Sequence, residues 1–230
     1  MIDTLFWKDR KVFITGHTGF KGGWLAIWLK DLGANVTGYA LSPNSEQAFY
    51  HQANVKQSLV NNNFADIRDL MTFKKAMQAA EPSIVIHMAA QPLVIDSYLD
   101  PINTYSTNVM GTVNMFESVK STSSVKAVLN ITTDKCYENN GQLIGYKEDD
   151  PLGGHDPYSS SKACAELVSA TYRKSFFHES GISLATARAG NVIGGGDWAK
   201  DRLIPDAMRA FANNKKLLVR NPNSIRPWQH

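Results

Sequence analysis

Lys11-Val12-Phe13-Ile14-Thr15 is an apolar run of strand character, and Gly16-His17-Thr18-Gly19-Phe20-Lys21-Gly22 follows it directly. From Trp24 to Leu32 the apolar residues recur with helical periodicity. Strand, glycine turn and helix in that order is the context in which a glycine-rich loop holds a dinucleotide. The spacing is G-x-x-G-x-x-G. Gly16 and Gly19 let the backbone approach a diphosphate, and Gly22 lets the helix pack closely on the sheet. The diphosphate would lie at the helix N-terminus, where free amides and the helix dipole favour an anion. Taken alone, the same loop is also an ordinary strand-to-helix turn.

Outward from this stretch, strands and helices alternate. Asn35–Ala40 is a second strand, and Phe64-Ala65-Asp66-Ile67-Arg68-Asp69 follows a short third one. Met71–Ala80 is a helix, and Pro82–Ala90 is a buried strand ending in small residues. A long amphipathic helix covers Asp100–Ser121, then a strand Ala127–Thr133, a helix from Tyr158 to Ser175 and a strand Ile182–Arg188. This alternation predicts an α/β, Rossmann-type, doubly wound parallel sheet. Leu41-Ser42-Pro43-Asn44, after the second strand, offers neither the acid that binds an adenosine ribose nor an arginine for a 2′-phosphate. NAD is therefore expected over NADP, with a weak ribose site. His17 faces the cofactor or solvent from the loop, and in the first case its bulk crowds the site.

The 230 residues are 43% hydrophobic, ample for a packed core, and carry a net charge of +3. That charge is too mild for nucleic-acid binding, and no apolar stretch has the length of a membrane span. Met1-Ile2-Asp3-Thr4 does not open a signal peptide. Cys136 and Cys164 lack metal-ligand spacing and read as free thiols, and the six histidines are scattered, so no metal site is expected. Together these features predict a soluble, cytoplasmic protein.

The chemistry concentrates in two places. Thr133-Asp134-Lys135-Cys136-Tyr137 ends a strand, and ligands of open parallel sheets bind at the carboxyl ends of strands. Tyr158-x-x-x-Lys162 puts a phenol and an ammonium one turn apart on one helix face. The cation would favour phenolate and lower the Tyr158 pKa, making it a base near neutrality. Without the glycine loop, the pair is equally a solvated helix face.

Taken together, Gly16-x-x-Gly19-x-x-Gly22, Asp66-Ile67, His87-x-Ala89-Ala90, Asn108-Val109-x-Gly111-Thr112, Tyr158-x-x-x-Lys162 and Arg188-x-x-Asn191-Val192-x-Gly194 resemble the extended short-chain dehydrogenase/reductases. Within them, Thr133-Asp134 followed by Tyr137 is similar to the nucleotide-sugar 4,6-dehydratases, which carry Thr-Asp-Glu there. Lys135 replaces the glutamate, a departure shared by the CDP-glucose 4,6-dehydratases. Gly194-Gly195-Gly196-Asp197-Trp198 and Arg226-Pro227-Trp228-Gln229-His230 resemble the same group.

The resemblance implies CDP-glucose as substrate and NAD as cofactor. It assigns Thr133, Asp134, Lys135, Tyr158 and Lys162 to catalysis, with Lys135 either a neutral base, its pKa lowered by Lys162 and desolvation, or a cationic stabiliser. It assigns Gly16, His17, Gly19, Phe20, Gly22, Asp66, Ile67, Ala89, Ala90, Asn108, Tyr158 and Lys162 to the cofactor, and Asn191, Arg202 and Arg226 to the substrate. It further implies surface-polysaccharide deoxysugar synthesis and a homodimer through a four-helix bundle, exposing Tyr105, Met115, Phe116, Val168 and Tyr172 in the monomer. The competing activities are a 4-epimerase or plain reductase and, outside enzymes, an NAD-binding regulator. Residues 1–189 are expected to form the NAD domain, and 190–230 the beginning of a nucleotide-sugar domain, truncated because Ile225–Trp228 has mid-domain texture.

Overall fold

The computed structural model describes residues 3–142 and 144–230. Met1 and Ile2, which begin the N-terminal segment considered above, lie outside the described residues, as does Leu143. In chain order the elements are α1 (Thr4–Trp7), β1 (Lys11–Thr15), α2 (Phe20–Asp31), β2 (Asn35–Ala40), α3 (Phe49–Gln52) and β3 (Asn61–Phe64). There follow α4 (Leu70–Ala80), β4 (Ile84–His87), α5 (Val94–Leu99), α6 (Pro101–Tyr105), α7 (Gly111–Lys120) and β5 (Ala127–Thr133). The last are α8 (Pro157–Tyr172), β6 (Ser183–Ala189), β7 (Asn191–Val192), α9 (Leu203–Ala212) and β8 (Trp228–Gln229).

β1–β6 form one parallel sheet in the order β3-β2-β1-β4-β5-β6. The order reverses beside β1, which opens the crevice above the glycine loop where doubly wound sheets take their ligands. Both faces are covered. Phe13, Tyr39, Phe73, Met77, Met115, Phe116 and Val119 form one apolar layer, and Val12, Ile14, Ala26, Leu29, Val36 and Ile86 form the other. Adjacent residues of β1 thus feed opposite cores, as the twofold strand period requires.

The long helix Asp100–Ser121 contains an internal π turn at Ser106–Met110, between α6 and α7. A second π turn, Arg173–Phe177, extends α8. The expected exposed faces need correction. Met115 and Phe116 are fully buried, Tyr172 is buried and stacks on Phe116, and Val168 packs against the core. Amphipathic periodicity identifies an apolar stripe but does not say whether it meets the sheet or a second helix pair. Tyr105 is exposed as expected, and Tyr98, Leu99, Ile102, Met110 and Leu167 are exposed apolar residues of the α5–α8 helices and the π turn between them.

Beyond β6, β7 pairs with β8 in parallel, Asn191 opposite Trp228 and Val192 opposite Gln229. Pro227 thereby lies against Gly190, at the carboxyl edge of the main sheet. Among the described residues no helix is long and apolar enough to cross a membrane.

Phe116→Ala should destabilise the fold by about 3–5 kcal/mol through lost burial and a residual cavity. Ile102→Ala, at a residue 82% exposed, should change the unimolecular stability by less than about 0.5 kcal/mol. Urea denaturation of both variants checks the assignment of faces; equal losses would overturn it.

Candidate active site

The glycine loop is built by contact. Gly16 has φ +80°, a conformation that L side chains rarely adopt, and a Cβ there would lie 2.8 Å from the Ala89 amide nitrogen. A Cβ on Gly22 would strike the Gly16 carbonyl and come within 2.9 Å of the His17 Cα. The first turn of α2 can therefore close on the loop only without side chains at these positions. Gly19 caps α2 with no side-chain hydrogen bond, so the first-turn amides point free toward the crevice. A bare helix start and a backbone cradle that a Cβ would fill fit the diphosphate of a dinucleotide.

Thr15 ties this loop to β4. Its hydroxyl oxygen accepts from the Met88 and Ala89 amides, each at 3.0 Å. Its proton then goes to His87 Nδ1, 2.8 Å away, which leaves His87 neutral and protonated at Nε2. Burial, with Lys162 nearby, pushes His87 down to about 3 and agrees with that tautomer.

His17 is neither a solvated loop residue nor an open ligand. It is fully buried, its ring stacked on Phe64 at 6.3 Å and bonded through Nε2 to Asn62 Oδ1 at 2.6 Å. Burial holds its imidazole below the ordinary value. Its bulk therefore occupies space between the glycine loop and the β2–β3 side of the sheet.

Three expected cofactor residues have partners within the protein. Ile67 is buried against Gly111 of α7 and belongs to the core. Asn108 is buried, its Oδ1 accepting from the Gln91 amide at 2.8 Å and its Nδ2 donating to Gln91 O and Ser161 Oγ. It clamps the loop after β4 to α8, with both polar atoms of its side chain bonded within the protein. Asp66 accepts from Arg68 Nε at 2.9 Å and from the Arg68 amide, and the guanidinium bonds hold its carboxyl below the usual range. A motif shows which residues accompany a site; their side-chain directions follow from packing. Phe20 packs beside Gly194, and Ala89 and Ala90 line the turn after β4.

Across the crevice, Asp156 caps α8 by accepting from the Ser159 amide at 2.9 Å and sets the start of the helix that carries Tyr158 and Lys162. Both side chains are buried. The expected depression of Tyr158 does not occur: burial raises its pKa, and a hydrogen bond with Thr133 opposes the rise. Loss of water around the phenol outweighs both that bond and the charge of Arg202. Lys162 Nζ donates to Ile131 O at 3.3 Å, and burial, followed by the charge of Lys21, pulls it down to about 8.

Thr133, Asp134 and Lys135 leave the end of β5 together, Thr133 Oγ1 lying 3.2 Å from Asp134 Oδ1. Burial lowers the Lys135 pKa, and the next cause is Arg226 rather than Lys162 as expected. The β7–β8 pairing explains this, because it folds residues 226–227 back over the end of β6. Arg202 is bonded to the buried carboxylate of Asp197 at 2.9 Å, and its charge reaches both Tyr158 and Lys21. Asn191 lies in β7.

A model of the NAD dependent epimerase/dehydratase family matches residues 12–230. The chain belongs to that family. It is 54% identical over its whole length to the CDP-glucose 4,6-dehydratase of Salmonella typhimurium, of which it spans 65%. It is 28% identical to a dTDP-D-glucose 4,6-dehydratase of Dictyostelium discoideum over 91% of the chain and 50% of the relative. A UDP-glucose 4-epimerase from Brucella ovis, solved with NAD, superimposes with a TM-score of 0.75 at 26% identity, over 89% of this chain and 62% of that one.

Lys21 is a defining residue of none of the motifs legible in the sequence. It occupies the first turn of α2, where a cation opposes the helix dipole, and burial together with Arg202 lowers its pKa. That local misfit was the available signal. Glu166, one turn past Lys162, likewise belongs to no motif.

Lys162 binds its proton at about 8 in the folded state and near 10.5 otherwise. Between those values the unfolded chain holds more protons, so stability rises with pH across the window. The gain should reach about 3 kcal/mol, read by urea denaturation at about pH 7.5 and about pH 10. Lys162→Met should abolish it; an unchanged pH dependence in that variant would assign the gain elsewhere.

Proposed function

We propose that this protein is an NAD-dependent CDP-glucose 4,6-dehydratase, a lyase that converts CDP-D-glucose to CDP-4-keto-6-deoxy-D-glucose and water. One observation carries this reading. Thr133, Asp134 and Lys135 emerge from β5 beside the buried Tyr158 and Lys162, in a chain 54% identical to a CDP-glucose 4,6-dehydratase. Bound NAD would accept a hydride from C4 of the sugar and return it at C6.

The chain supplies the proton chemistry. Tyr158 would take the proton of the 4-hydroxyl once the positive nicotinamide ring of bound NAD and the Lys162 ammonium offset the rise that burial gives the phenol, and Thr133 hydrogen-bonds the 4-oxygen. The resulting ketone acidifies the C5 proton, which Lys135 removes while Asp134 protonates the departing 6-hydroxyl, and Lys135 gives a proton back to C5 when the hydride returns to C6. A lysine acts as a base only when neutral, and the lowering of Lys135 by burial and Arg226 supports that role. Arg226, Arg202 and Asn191 bind the substrate, the arginines at its diphosphate, where a forked cation suits paired oxygens.

The exposure of the apolar residues Tyr98, Leu99, Ile102, Tyr105, Met110 and Leu167, all on α5–α8 or the π turn between α6 and α7, supports a homodimer joined by a four-helix bundle. The reaction belongs to cytoplasmic supply of deoxysugars for surface polysaccharide.

With NAD and CDP-glucose, the protein should form a product with the alkali-induced ultraviolet absorbance of a 4-keto-6-deoxy sugar, and dTDP-glucose should give none. Product from dTDP-glucose would overturn the substrate; epimerised sugar alone would overturn the reaction. Tyr158→Phe and Asp134→Asn should each lower kcat by about 10²–10⁴, the second with C4 oxidation still detectable as transient NADH absorbance. Arg226→Gln should move the limb of the pH–rate profile that reports Lys135 to higher pH, because a neighbouring cation has been removed.

A further inference from the structure

Glu166 takes no part in the chemistry above, yet its carboxylate is buried behind the catalytic groups. It lies one turn beyond Lys162 on α8, on the same helix face. Its Oε1 accepts from the Thr132 hydroxyl of β5. Its Oε2 accepts from the Thr186 hydroxyl at 3.0 Å and from Arg188 at 2.9 Å, both on β6. Lys162 donates to the carbonyl of Ile131, the residue before Thr132. Two side chains one turn apart on α8 thus engage two consecutive residues of β5. The next residues of that strand are Thr133, Asp134 and Lys135.

Arg188 extends the tie. It donates to Glu148 O at 3.0 Å, and its guanidinium lies 4.9 Å from the Tyr137 ring centre. Hydrogen bonds from Arg188, Thr132 and Thr186 outweigh the effect of burial and hold the Glu166 carboxyl below its ordinary value, so it is ionised. The other groups near Lys162 offer no such charge. Lys21, in the first turn of α2, is a second cation. His87 on β4 is neutral, the Cys136 thiol is pushed up to about 11 by burial, and Tyr158 is raised. Glu166 is the anion of the group.

We propose that Glu166 is a positioning residue of this active site: it registers the catalytic end of β5 against the helix bearing Tyr158 and Lys162, and it is the counter-charge that keeps the Lys162 ammonium charged. The kinetic consequence rests on the dehydratase function proposed above; the electrostatic one does not.

The test is a titration of the Lys162 Nζ resonance in protein carrying ¹⁵N-lysine, assigned by its loss in Lys162→Met. In Glu166→Gln the midpoint should fall by about one pH unit. In Thr186→Val, which removes one hydrogen bond and keeps the carboxylate, stability should drop while the midpoint stays. Should Glu166→Gln fail to fold with Arg188 left unpaired, Glu166→Gln/Arg188→Met is compared with Arg188→Met, so that Arg188 is absent from both, and the midpoint should again be about one pH unit lower in the variant lacking Glu166. In the turnover assay, Glu166→Gln should lower kcat about tenfold at neutral pH with KM within about twofold. An unmoved Lys162 midpoint in a folded Glu166 variant overturns the proposal. Native protein that forms no 4-keto-6-deoxy sugar overturns the dehydratase function instead and leaves the titration result standing.

Discussion

The site is organised around removing the Lys162 ammonium from water. A buried cation needs compensation, and here it has one long bond to a backbone carbonyl and a carboxylate one turn away. That partial compensation leaves its proton affinity near 8. Each group around it is set by the same dry environment: the Tyr158 phenol raised, His87 neutral, Cys136 a thiol. A cofactor or substrate entering this crevice meets preorganised charges that water does not screen.

The opposite wall of the crevice is made of backbone. At Gly16 and Gly22 the peptide planes of the loop, the start of α2 and the turn after β4 approach one another at distances that exclude a Cβ. The Thr15 hydroxyl then spends its whole bonding capacity on Met88, Ala89 and His87. The two walls are joined through Asn108, which bonds the loop after β4 to Ser161 of α8. On the far side, Trp24 of α2 donates to Gly195 O at 2.9 Å. The segment after β6 is thereby latched onto the helix that begins at the glycine loop, and Asp197 and Arg202 stand beside Lys21.

Most of the architecture was legible in the chain. Lys11–Thr15, Asn35–Ala40 and Ala127–Thr133 appear as strands with the predicted bounds, because short apolar β-rich runs between turns have few alternatives in a parallel sheet. Helix burial was less legible. Met115, Phe116 and Tyr172 look like a partner-facing stripe, yet they fill the core. The π turns escaped as well, since an inserted residue leaves the apolar period nearly intact. In the site, spacing located Tyr158, Lys162 and the glycine loop. It could not show that Asp66 bonds Arg68, that Asn108 bonds Gln91 and Ser161, or that Ile67 points into the core.

The sequence by itself determined the order of strands and helices, the positions where backbone must approach a ligand, and the inventory of acids and bases at the strand ends. These follow from local rules: periodicity, the conformational freedom of glycine, and a four-residue spacing on a helix. Only the tertiary structure decided which of those groups carry charge and in which direction they act. Desolvation raises Tyr158, Arg226 rather than Lys162 is the neighbour that most affects Lys135, and Glu166 becomes the counter-charge of Lys162. Proton affinity depends on burial and on neighbours brought from distant parts of the chain, and neither exists before the chain has folded.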